Sequence, residues 1–355
     1  MVNNNHDKQK PRFFYFDVLR ALAIVAVVVL HNSVDTIDNF GKVSNFDWLS
    51  AAVYNGLTRF CVPLFVLMSG SLLLNKNKES TVKELFSKRL PKLLIPLVVW
   101  SIVYIAFLHY SKLGFAHINI WDCLLQFYKG PVIFHFWFLY MMIGIYLIYP
   151  VINAFITSAS QSVILYFIAA WFCISCGTAI IEMVTGTATG LELYGFMGYI
   201  GYFVMGYYLK NYSFTKQDTR IIYGLSVLAF ITSVASIIIF YNYHIAHGND
   251  LVESDFTPDI PFAIAGLFLF MKNFNFTDKA TWLKTIITEL SMESYGIYIV
   301  HVLVMQTLFN KMLLNIQCNN MAVIWVVPLK TVVIVGITYG IVKLLKQVPF
   351  LKQTI

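Results

Sequence analysis

The chain has 355 residues, 58% of them hydrophobic and only 12% charged, with a mean hydropathy of +0.70; this lies outside the range of soluble globular domains and indicates a polytopic membrane protein. A formal net charge of +7 is what the cytoplasmic lysine and arginine excess of a membrane protein produces, so it gives no ground for a nucleic-acid partner. The five cysteines, Cys61, Cys123, Cys173, Cys176 and Cys318, are odd in number and scattered, which excludes a disulfide framework and leaves the redox compartment open.

Ten apolar runs are long enough to cross about 30 Å of hydrocarbon once tilt and polar interruptions are allowed for. They fall near 16–34, 51–74, 92–109, 134–153, 162–181, 195–210, 220–242, 258–274, 287–312 and 321–344. The sixth is short and glycine-rich, and the eighth is bounded by Pro258 and Pro261. The expectation is therefore an all-α polytopic membrane protein of about ten helices. It forms one domain over 1–355, and an even number of spans puts both termini on one side. Lysine and arginine assign that side to the cytoplasm. The inner segments then hold Lys8, Lys10 and Arg12, the run from Lys76 and Lys78 to Lys92, Lys210 to Arg220, Lys272, Lys279 and Lys284, and Lys343 to Lys352. The outer side holds only Lys42, Lys112, Lys129 and Lys311.

The basic tail at 1–15 followed by an apolar run imitates a secretory signal. Arg20 interrupts the run and no small-residue cleavage site follows, so it reads as a retained first helix. Arg20 and His31 are eleven residues apart, which sets them roughly 16 Å apart along the axis and only about 20° apart around it. Ionisable groups inside a span usually face a bundle interior or a watery cavity. The ordinary alternative is an arginine that snorkels to headgroups and a histidine that ends the helix. Asp17, one turn before Arg20, is placed to pair with it.

The second span carries Arg59, then Pro63, which removes a backbone hydrogen bond and can kink the helix, and then Ser69 and Gly70, which permit close helix approach. Residues 79–91 form a candidate interfacial helix with Lys83, Lys88 and Arg89. Its ordinary role is to hold anionic headgroups; the sharper one is to cradle the phosphates of a nucleotide-like donor such as coenzyme A. The outer loops near 110–133 and 243–257 are possible lids. His244 and His247 in the second have a metal-ligand spacing but no evident third ligand, so no metal is expected.

At the outer start of the fourth span His135 stands beside Trp137 among interfacial aromatics, which form membrane belts and also stack on sugars. Cys173 and Cys176 in the fifth span have redox spacing without a second pair, and read as helix-packing residues. The ninth span presents Ser294, Tyr298 and His301 on one face, with Tyr295 adjacent. That face suits a cavity lining, although interhelical hydrogen bonds would also account for it. Glu289 and Glu293 near its inner end can pair with the basic segments. Lys330 in the tenth span has no assigned role.

Four of these stretches in order resemble the membrane acyltransferase 3 family: Arg20 and His31 with ten residues between them behind Phe16-Asp17-Val18-Leu19, the Arg59–Gly70 stretch, His135-Phe136-Trp137-Phe138-Leu139, and Ser294-Tyr295-Gly296-Ile297-Tyr298-Ile299-Val300-His301. The resemblance implies an integral-membrane O-acyltransferase with cytoplasmic acyl-CoA, often acetyl-CoA, as donor and an extracytoplasmic or lipid-linked cell-surface glycan as acceptor. It implies Arg20 and His31 as essential residues, and the chain looks like the membrane-only form, similar to surface-polysaccharide O-acetyltransferases in the cell membrane. In this reading His31 acts as base, Arg59 stabilises an oxyanion, and the donor meets a seam of Arg20, Arg59, Ser69, Tyr295 and His301. The rival is a non-enzymatic exporter of glycan intermediates on the same scaffold. The absence of a clear inverted repeat favours the enzyme.

Overall fold

The computed structural model describes residues 13–77, 82–113, 120–185, 198–243, 254–277, 280–309 and 321–355. The structure is 84% helix, with no strand among the described residues. The helices are α1 (Phe14–Ile37), α2 (Asn45–Thr58), α3 (Cys61–Leu73), α4 (Val82–Glu84), α5 (Pro91–Leu113), α6 (Ile120–Lys129), α7 (Trp137–Ser158), α8 (Gln161–Thr185), α9 (Ile200–Asn211), α10 (Lys216–Asn242), α11 (Asp259–Asn273), α12 (Thr281–Phe309) and α13 (Val323–Leu345). Residues 1–12 of the basic tail, Lys78, residues 79–81, His244, His247, Lys279 and Lys311 lie outside the described residues.

Among the described residues each of the ten apolar runs is mostly helical, and the second is divided between α2 and α3. By length and composition, seven helical runs among the described residues can cross a membrane: Phe14–Ile37, Asn45–Leu73, Val82–His109, Phe134–Ser158, Gln161–Ile181, Lys216–Asn242 and Val323–Leu345. The other three differ for physical reasons. With 12 and 15 residues, α9 and α11 rise only about 18 and 22 Å. Both are largely buried, and a helix enclosed by others need not match the bilayer thickness. By contrast α12 has 29 residues, but Ser291, Glu293, Ser294 and His301 interrupt its apolar character.

The core is organised around α1, which packs against α2, α3, α11, α12 and α13. Phe16, Leu19, Ala23, Ile24, Val27 and Val28 supply its buried face. Burying one such large apolar side chain contributes about 1.5–3 kcal/mol in water; in lipid the same close fit acts through van der Waals packing. The tightest crossing joins α3 to α9. A Cβ on Gly70 would fall 1.8 Å from the Phe203 carbonyl oxygen, and one on Gly206 would fall 1.9 Å from that of Leu67. Only residues without a side chain let the two backbones meet there.

The second predicted span is not a continuous helix with a kink at Pro63. It breaks at Arg59–Phe60, between α2 and α3. Pro63 then occupies the first turn of α3, where its missing N–H would have had no partner within the helix. The stretch read as an interfacial helix is a single α turn, α4, and a π turn at Leu85–Arg89 that runs on into α5. Pro91 begins α5 for the same reason that Pro63 sits early in α3. At one end of the bundle Glu289 pairs with Lys343, and Glu293 pairs with Lys343 at 3.2 Å and with Lys346 at 2.5 Å. The basic segment after α13 is folded rather than free: Thr354 is fully buried and its carbonyl accepts from Trp100 Nε1 at 3.0 Å. The Lys330 ammonium lies 5.0 Å from the centre of the Phe309 ring, a cation–π contact.

Candidate active site

Helices α1 and α12 run parallel, so their polar residues meet in pairs at two levels. At the first level the Ser291 hydroxyl donates to Asp17 Oδ1 at 2.8 Å, and Asp17 lies 3.7 Å from the Arg20 guanidinium. Asp17 is 1% exposed, so its carboxylate depends on those partners for the hydration it has lost. Arg20 faces a cavity of about 170 Å³. Ser69 of α3 and Ser294, Tyr295 and Tyr298 of α12 line it with Arg20, and Phe65, Phe138 and Met142 close the apolar side. The hydroxyls are already engaged: Ser69 donates to the Phe65 carbonyl at 2.9 Å, Ser294 to that of Ser291 at 2.8 Å, and Tyr295 to that of Lys92 at 3.3 Å.

At the second level His31 Nδ1 lies 2.9 Å from His301 Nε2. The two rings lie nearly in one plane, edge to edge, with centres 5.1 Å apart and an interplanar angle of 11°. His301 is fully buried, and its Nδ1 faces the carbonyls of Tyr298 at 2.7 Å and Ile297 at 3.2 Å. His135 completes the group, with its ring 5.2 Å from that of His301 and its Nε2 3.4 Å from the Ile299 carbonyl. The turn that carries it, Phe134–Phe136, is a 3-10 helix. Gly130 at φ +148° turns the chain out of α6 toward that segment, in a conformation only glycine adopts readily. The Tyr298 hydroxyl donates to the His135 carbonyl and so fixes the turn to α12. Tyr298 thus belongs to both levels: it lines the Arg20 cavity, and its ring lies 6.2 Å from His301.

The remaining predicted site residues have partners of their own. The Arg59 guanidinium donates to the Ser254 carbonyl at 3.2 Å. The next residue, Asp255, accepts from the Tyr199 hydroxyl at 2.7 Å and, through its carbonyl, from Tyr202. Trp137 meets Tyr199 at 5.7 Å between ring centres, on the same side as that turn. Arg89 pairs with Glu84 at 3.3 Å and lies 4.5 Å over the Tyr149 ring, whereas Lys83 and Lys88 are exposed. The basic stretch nevertheless leads to the cavity, because Leu93, one turn beyond Arg89, lies in its wall.

A family profile described as an acyltransferase domain, acyltransferase 3, matches residues 13–343. The chain belongs to the acyltransferase 3 family. Comparison with curated proteins and with solved structures returns no match. Together with its apolar helices, the family makes this protein a multi-pass membrane acyltransferase.

Two contributors to the candidate site were not singled out in the sequence. Tyr104, in the middle of α5, is fully buried; its hydroxyl donates to the Ile299 carbonyl at 2.8 Å and accepts from Leu303 N–H at 3.1 Å. A tyrosine deep inside an apolar span must find a partner for its hydroxyl, and that is the signal that could have flagged it. Phe134 sets its edge against the His31 ring at 5.0 Å, which an aromatic belt residue does not announce in advance.

Proposed function

We propose that this acyltransferase moves a short acyl group, acetyl in the first instance, from cytoplasmic acyl-CoA to a hydroxyl of an extracytoplasmic or lipid-linked cell-surface glycan. One arrangement carries the reading: Arg20 and His31 share a face of α1, with a small cavity at the first and a hydrogen-bonded imidazole at the second. The cavity volume of about 170 Å³ is that of roughly six waters at ~30 Å³ each. It suits the slender thioester-bearing arm of the donor, reaching from Arg20 toward Tyr298 and the His31 level. Lys83 and Lys88, exposed on the segment that leads to Leu93, suit donor phosphates, and Arg20 suits an anionic or carbonyl group nearer the thioester. Trp137 and Tyr199 offer ring faces to a sugar.

In the reaction His31 accepts the proton of the acceptor hydroxyl as its oxygen attacks the thioester carbonyl. The new C–O bond forms, the C–S bond breaks, and the leaving thiolate recovers the proton from His31. The test is the purified protein in liposomes with labelled acetyl-CoA and candidate glycans. Release of coenzyme A thiol matched by labelled glycan is expected. Glycan translocation without consumption of acyl-CoA would overturn the reading in favour of an exporter.

A further inference from the structure

We propose that His301 is a positioning residue that fixes the tautomer of His31 and so leaves the correct nitrogen of His31 bare; this rests on the acyl-transfer reading above. The argument starts from two carbonyls. His301 Nδ1 lies 2.7 Å from the Tyr298 oxygen and 3.2 Å from the Ile297 oxygen. A carbonyl only accepts, so Nδ1 carries the proton. A neutral imidazole then has its lone pair on Nε2, and the atom 2.9 Å from that lone pair is His31 Nδ1. His31 must therefore donate from Nδ1, and its Nε2 is the nitrogen without a hydrogen.

The other possible state, a doubly protonated His301, would reverse the arrangement by making His31 Nδ1 the acceptor. Its cost is a full charge on a ring that is 0% exposed. The third ring of the group, His135, is 2% exposed and turns its own Nε2 to the Ile299 carbonyl, so it brings no anion. A buried charge without a counter-ion costs several kcal/mol, and the neutral pair prevails. The two carbonyls of α12 thus set the proton on His301, and His301 sets the proton on His31.

During the reaction the hydroxyl proton moves to His31 Nε2, the C–O bond forms and the C–S bond breaks, and the same proton passes to the thiolate. His301 stays neutral throughout. It accepts from His31 Nδ1–H before, during and after, and that bond strengthens while His31 is an imidazolium. This is the orienting duty that a carboxylate has in a serine hydrolase triad, performed by an uncharged ring.

The test combines a spectroscopic and a kinetic measurement on the full-length protein. The ¹⁵N shifts of His31, assigned by difference with His31→Gln, report which ring nitrogen is protonated. The Nδ1–H form is expected, and the Nε2–H form in wild-type protein would overturn the proposal whether or not any variant folds. His301→Phe keeps an aromatic ring and removes the acceptor. It is expected to lower kcat by about 10²–10³-fold with the acyl-CoA KM changed less than about twofold. His301→Gln places an amide oxygen near the Nε2 position and is expected to recover to within about tenfold of wild type. Equal activity in the Phe and Gln variants would reduce His301 to packing. If wild-type protein transfers no acyl group, the proposed function fails, while the ¹⁵N measurement still decides the tautomer.

Discussion

At the Arg20 end of α1 charged groups are paired with charged groups, whereas at the His31 end every polar ring meets a backbone carbonyl or another neutral ring. The first end holds Asp17 with Arg20, Glu289 with Lys343, and Glu293 with Lys343 and Lys346. The second holds Tyr104 on Ile299, Tyr298 on His135, and His301 on Tyr298 and Ile297. In a low-dielectric interior the ion pairs at the first end can accept a charged ligand without building the charge balance anew. The neutral network at the second end suits proton transfer, because a base that is already paired with an ion would resist giving its proton back. In the proposed reaction, one helix therefore separates binding of an ionic donor from the proton chemistry by about 16 Å of rise.

The comparison breaks most directly at His31. His31→Ala is expected to reduce acyl transfer by about 10³-fold or more, at the upper part of the range for a lost general base, with the unfolding temperature unchanged. Coenzyme A release measures it, and a residual rate within tenfold of wild type would remove the base from this end. Arg20→Lys is the matching change at the other end. It keeps the charge and loses the planar fork, so the acyl-CoA KM is expected to rise about tenfold while kcat stays within about threefold. If kcat falls as far as kcat/KM, Arg20 belongs to the chemistry and the division between the ends collapses.

Tyr104→Phe tests the carbonyl network alone. It removes a buried hydroxyl with two partners and is expected to cost about 1–2 kcal/mol, seen as a lower thermal midpoint with a smaller fall in rate than His31→Ala gives. The smallest effect is expected at Ser69, whose hydroxyl is spent on the Phe65 carbonyl of its own helix. Ser69→Ala should change kcat/KM by less than about twofold, and a larger loss would show that the hydroxyl turns to the ligand.

Much of this arrangement was legible in the sequence, because helical periodicity alone places Arg20 and His31 on one face and Ser294, Tyr298 and His301 on another. The partners across helices were not legible. Nothing in the spacing says that His301 meets His31, since 270 residues separate them. Nor does it say that Arg59 turns to Ser254. Side-chain direction at a helix break is set by what packs around it, and the interruption at Arg59–Phe60 has no glycine to announce it. Hydrophobicity likewise located α9 and α11, but it does not say which apolar helices are long enough to span, because it measures apolar character and is blind to whether lipid or protein supplies the surroundings.

The glycine crossing of α3 and α9 bears on selectivity. A methyl at Gly70 would begin 1.8 Å from the Phe203 carbonyl oxygen, where ordinary contact starts at 3.4 Å, so α3 would have to retreat from α9. Ser69, the next residue, and Phe65, just over one turn earlier, would travel with it, and both are walls of the Arg20 cavity. Gly70 is absent from that wall and still fixes where the wall stands. In the proposed reaction, what the Arg20 cavity admits is thus set in part by a distance between two backbones outside its wall.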